Sequence, residues 1–146
     1  MRSRRLATAL TLASLTVLVF AQVAQASQPV RFHDTGFIED GNYVDFDRAV
    51  FGHRDHADFT LQSPGAAERL LEKISTARFR HMGASRPSYH LCSTIRLSGA
   101  NVNMANSPVG DWFCFKTRVG RFGRFRFDSL DPFPSGMHIT YTVWEL

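Results

Sequence analysis

Between Asp111 and Asp128 the chain alternates with a period of two, and no other stretch constrains the fold as much. Phe113, Phe115 and Val119 fall on one side and Cys114, Lys116 and Arg118 on the other. On the return, Phe125 and Phe127 oppose Arg124 and Arg126. This is the pattern of strands with one face in a core and the other toward water. Val119-Gly120-Arg121-Phe122-Gly123 lies between the two runs and reads as a hairpin tip, with glycines open to positive φ. Cys114 shares the charged side by parity, so the base of that face must be covered while its rim stays charged.

Similar texture recurs along the chain. Val30–Phe37, Tyr43–Asp47, Ala57–Leu61, Ala77–Met82, Ser88–Leu97 and Met137–Trp144 all read as strands. In the second of these Val44 and Phe46 lie on one face and Tyr43, Asp45 and Asp47 on the other. One helix is predicted over about residues 64–75. Ser63 caps it, Pro64 suits its first turn, and Ala67, Leu70, Leu71 and Ile74 recur at helical spacing. Glu68, Arg69, Glu72 and Lys73 make its polar face. Ser98–Pro108, rich in Gly, Asn and Ser, reads as a loop. The expected fold is mostly β: a single antiparallel β-sandwich or small barrel with one amphipathic helix and one disulfide.

Residues 1–26 have the form of a secretory signal peptide. Arg2, Arg4 and Arg5 precede an apolar run from Leu6 to Val23, and Ala24-Gln25-Ala26 is a small-x-small cleavage site. The uninterrupted apolar core falls short of the roughly 20 residues of a spanning helix. No membrane span is expected after cleavage, leaving residues 27–146 as one secreted β domain. Arg4-Arg5 leaves Sec and twin-arginine export both open. In an oxidising compartment Cys92 and Cys114 pair by default, two buried thiols being the alternative.

The leader distorts the charge balance. The whole chain has 17 Lys and Arg against 13 Asp and Glu, but residues 27–146 retain 14 against 13. Nothing in that total calls for nucleic acid as a specific partner. The charges are segregated, however. Asp34–Asp58 holds seven acids and two arginines, whereas Arg78–Asp128 holds nine basic residues and two acids.

Cys114-Phe115-Lys116-Thr117, Gly120-Arg121-Phe122 and the ending Ile139-Thr140-Tyr141-Thr142-Val143-Trp144-Glu145 resemble a small module of exported actinobacterial proteins. That module reads Cys-x-Arg/Lys-Thr-x-x-Gly-Arg-aromatic, then Thr-x-Tyr-Thr-x-Trp-Glu. Asp45-Phe46-Asp47 and Tyr89-His90-Leu91-Cys92 are similar to its upstream elements, so the resemblance spans most of Tyr43–Glu145. Val119 stands where the module often has an acid. The resemblance implies one disulfide-linked β domain and no particular chemistry.

Three constellations are candidates for function. Lys116, Arg118, Arg124 and Arg126, joined by Arg121 at the tip, could meet an anionic polymer or an acidic protein surface. Strand alternation by itself also places arginines outward, solvated or paired with Asp45 and Asp47, so the pattern does not require a ligand. His53, Asp55, His56 and Asp58 crowd one loop with metal-ligand chemistry, but no third anchored ligand from elsewhere accompanies them, so no metal site is predicted. His81, His138, Glu145 and Arg124 could be cast as a ribonuclease-like acid–base set, though nothing in the sequence brings them together. No nucleophile elbow or phosphate-binding loop is present. The reading is therefore a secreted, non-catalytic, monomeric binding domain without a cofactor, its partner extracellular or on the cell surface. The alternatives are an inhibitor of a secreted enzyme, presenting Ser98–Pro108, and a small secreted hydrolase.

Overall fold

Ten strands form two five-stranded antiparallel sheets that close on one hydrophobic core in a sandwich-like arrangement. This computed structural model describes residues 28–146, and the leader predicted over residues 1–26 lies outside them. The first sheet runs β1 (Val30–Glu39), β10 (Gly136–Trp144), β9 (Phe122–Leu130), β8 (Trp112–Lys116), β6 (Arg78–Gly83). The second runs β3 (Val50–Phe51), β2 (Tyr43–Asp45), β4 (Phe59–Gly65), β5 (Glu68–Lys73), β7 (Val102–Asn103).

The period-two stretches land as alternation requires. Phe113 pairs with Phe125 across β8 and β9, their rings stacked 4.7 Å apart, and Cys114 pairs with Arg124 on the opposite face. On β10, Met137, Ile139, Tyr141 and Val143 are all buried in the core. Phe46 reaches over from the second sheet and stacks on Phe115 at 4.4 Å. Aromatic burial of this kind supplies most of the drive for such a fold.

The helix predicted over residues 64–75 is not formed. Residues 59–65 and 68–73 make the β4–β5 hairpin instead, with Leu61 opposite Leu71 and Gln62 opposite Leu70. Arg69 and Leu71 alternate into the interior, each about 1% exposed, while Leu70 is only half-buried. The apolar spacing fitted a helix, but β5 pairs on both edges, with β4 and β7, and that ladder overrides local propensity.

The one α-helix among the described residues, α1 (Tyr89–Thr94), stands where a strand is predicted. Ser88 caps it by accepting a hydrogen bond from the Leu91 N–H at 3.2 Å. Cys92 is its buried residue and is joined to Cys114 of β8 in a disulfide, so α1 lies on the outer face of the first sheet. Beneath and around it, Cys92, Cys114 and Trp144 form a second apolar cluster with Met82, Tyr89, Leu97 and Phe122. This is the cover that the parity of Cys114 demands.

Val119, predicted to face inward, is half exposed at the turn, and Asp45 and Asp47 are buried. Ser98–Pro108 is not free along its length either. Val102–Asn103 pairs with β5, and Met104 is fully buried.

Candidate functional site

On the outer face of β8 and β9, Trp112 stands cross-strand from Arg126 and two residue pairs away from Cys114–Arg124. Three guanidiniums gather over its ring: Arg86 at 5.6 Å, Arg124 at 5.7 Å and Arg126 at 5.9 Å from the centroid. Arg124 also lies 5.2 Å from the Trp144 centroid. These are cation–π distances, and the indole plates hold the charges in a fixed arrangement. Arg124 is held further by donating to the Pro87 carbonyl at 2.5 Å, just ahead of α1.

The three arginines differ in how their charge is met. Arg126 pairs with Asp128 at 2.5 Å, and Asp128 in turn accepts from the Thr140 hydroxyl. Among the described residues, Arg86 and Arg124 have no carboxylate within salt-bridge distance. Burial, and after it the charge of Arg86, pulls the Arg124 guanidinium below its ordinary range. Two like charges are thus held near one another with nothing acidic between them.

Sequence reasoning missed Arg86, because it lies outside the alternating hairpin. It reaches Trp112 through packing of the segment that the disulfide ties to β8. The Cys92–Cys114 pairing was the available signal, since it places residues just before Cys92 on the outward face of β8.

The remaining predicted cations do not join this group. Lys116 stands over the Phe122 ring at 5.3 Å, beyond the covered base. Arg118 and Arg121 turn with the β8–β9 tip toward the second sheet. There the Arg118 guanidinium donates to His56 Nδ1 at 2.6 Å, and Arg121 pairs with Asp47 at 3.1 Å. The acidic N-terminal part and the basic tip therefore meet within one molecule.

That meeting point is built on three buried carboxylates, Asp45, Asp47 and Asp58, whose oxygens lie within 4.8 Å of one another. Asp58 accepts from the backbone N–H groups of Phe46 (2.9 Å) and Arg118 (2.6 Å), so it ties the β8–β9 turn to the second sheet. Asp47 accepts from the Thr117 hydroxyl at 2.9 Å, and Asp45 accepts from the Arg48 N–H at 3.2 Å. Burial is the main reason the Asp58 carboxyl is pushed up to about 7, with the charges of Asp47 and Asp45 adding to it and its backbone hydrogen bonds opposing it. Among the described residues this is the one convergence of three such ligand groups, and each carboxylate accepts from the protein's own donors through at least one oxygen. It acts as a clasp.

Of the loop residues predicted as weak metal candidates, only Asp58 belongs to the clasp. His53, Asp55 and His56 are exposed around an open depression of about 320 Å³ that also touches Asp45. The ribonuclease-like set is dispersed among separate partners: His81 with Asp111 at 2.5 Å, His138 with Asp131 at 3.3 Å, and Glu145 with Arg31 at 3.7 Å.

Compared with protein-family models, with curated proteins and with solved structures, the chain matches none. The module it resembles rests on its motifs alone.

Proposed function

We propose that the protein is an exported, non-catalytic binding domain that engages an anionic partner outside the cell with the outer face around Trp112. The observation that carries this reading is the convergence of Arg86, Arg124 and Arg126 on one indole, two of them without a carboxylate partner. Strand alternation explains why Arg124 and Arg126 point outward. It does not explain why Arg86, from a different segment, joins them, or why like charge is left uncompensated there. An arriving anion would relieve that repulsion.

The leader-like residues 1–26 support export. The Cys92–Cys114 disulfide is compatible with an oxidising destination. Among the described residues no helix is long and apolar enough to cross a membrane. The whole face lies within one chain, so a monomer suffices.

Retention of the oxidised protein on cell-wall fragments and on anionic and neutral matrices tests the proposal. Binding to anionic matrices that weakens as salt is raised is the expected result. Equal retention on neutral matrices, or none on any, contradicts it.

A further inference from the structure

The arrangement of the two uncompensated arginines narrows the kind of anion that would fit. This inference rests on the binding role proposed above and concerns what is read there.

Trp112 is the first clue. With Arg86, Arg124 and Arg126 all standing over its ring, the indole has little open face on which to stack a base or a sugar. Its part is to hold guanidiniums, so recognition falls to their N–H donors. Trp144, the other ring beneath Arg124, is buried. A ligand read by aromatic stacking does not fit this face.

The donors are the second clue. Arg126 is engaged by Asp128 through its Nε, leaving Arg86 and Arg124 as the free pair. Arg124 spends Nη1 on the Pro87 carbonyl, and its Nε is enclosed without an acceptor. It therefore presents only part of its fork, while the exposed Arg86 offers all of its own.

A carboxylate has two oxygens in one plane and is well matched by a single complete guanidinium fork. Bound to Arg86 in that way, it would leave Arg124 unanswered. A tetrahedral oxyanion carries oxygens out of one plane, and a phosphate monoester bears up to about two negative charges. It can accept from both arginines at once and answer both charges.

We infer that Arg86 and Arg124 together hold one tetrahedral oxyanion group of the partner, a phosphate or sulfate, in preference to a carboxylate. The partner is then a phosphorylated or sulfated chain, and an acidic protein surface is the disfavoured occupant.

The test follows the arginine side-chain N–H resonances of isotopically labelled, oxidised protein by NMR. Inorganic phosphate, sulfate and acetate are titrated separately at matched ionic strength. The expected result is a saturable shift of the Arg86 and Arg124 signals with phosphate or sulfate, at least tenfold tighter than with acetate. Arg86→Gln should weaken the phosphate response at least tenfold, whereas Arg54→Gln, at an exposed arginine that does not contact Trp112, should leave it within about twofold. Equal affinity for acetate, shifts that never saturate, or indifference to Arg86→Gln would each overturn the inference.

The two claims fail separately. Matrix retention without discrimination between phosphate and acetate sinks the oxyanion inference and leaves the binding role. Saturable phosphate binding without retention on any matrix sinks the binding role and leaves the site.

Discussion

Cys114 and Arg124 lie opposite one another across β8 and β9, and the same segment covers both. Cys114 is bonded to Cys92 of α1, and Arg124 donates to the carbonyl of Pro87 just before it. The disulfide therefore does more than staple the chain, because it fixes the segment that brings Arg86 to Trp112. Replacing both cysteines by alanine should cost about 3 kcal/mol, the chain-entropy value for a loop of this length. Urea unfolding measures that loss. Tryptophan fluorescence should report a more solvated Trp144 at denaturant concentrations where the Phe46–Phe115 core is still folded.

Arg69, predicted on the polar face of a helix, is instead a buried charge of the second sheet. Its guanidinium pairs with Asp40 at 2.7 Å and donates to the Asp131 carbonyl at 2.5 Å, tying the β1–β2 and β9–β10 turns to β5. Arg69→Ala leaves Asp40 buried and unpaired and should cost about 3–5 kcal/mol. The double variant Arg69→Met/Asp40→Leu should recover a large part of that loss. Both are read from thermal or urea unfolding, and a double variant no better than the single one would show that the pair is not the cause.

These cases mark what can be read locally. The β8–β9 hairpin and β10 were legible because period two holds residue by residue in Phe113, Phe115, Phe125, Phe127, Ile139 and Tyr141. Residues 64–75 were not, because Ala67, Leu70, Leu71 and Ile74 satisfy helical spacing equally well. What decides there is non-local: β5 pairs with β4 and β7 on its two edges, and Arg69 is buried against Asp40, 29 residues earlier in the chain. The acidic clasp was legible only in part. Pairing of the basic hairpin with Asp45 and Asp47 was open from the sequence, but their burial depends on contacts such as those of Thr117 and Arg121 with Asp47, some 70 residues apart in the chain. By sequence Gly123 belongs to the hairpin tip, but the positive φ belongs to Gly120, and Gly123 sits in β9, where a methyl group would run into the Phe115 ring.

Gly123→Ala is accordingly a core substitution. Overpacking of this kind should cost about 1–3 kcal/mol. Its check is the midpoint of urea unfolding, with Gly41→Ala as a turn comparison that meets no neighbouring atom but carries a strained φ of 85°.

Asp58 gives the clasp a pH signature of definite sign. Its carboxyl titrates near 7 in the folded protein against an ordinary value of 3.8, so the folded state holds the proton more tightly. Its contribution to stability is greatest below about pH 4, declines as pH rises toward 7, and is lowest above that. Asp58→Asn, which carries no titrating group, should flatten the profile across that window. Unfolding midpoints measured from pH 4 to 8 for both proteins, and their difference, isolate the effect. A difference that does not vary with pH would remove Asp58 as its source.

The most direct measurement of the binding role compares two variants of equal net charge on the same anionic matrix. Arg86→Glu/Arg126→Glu reverses two exposed arginines over Trp112. Arg54→Glu/Arg96→Glu reverses two exposed arginines that do not contact that ring. If the face around Trp112 binds, the first variant should lose at least tenfold in retention at low salt, and the second should stay within about threefold of the parent. Equal losses would show that retention follows total charge alone, and the site around Trp112 would not be a binding face.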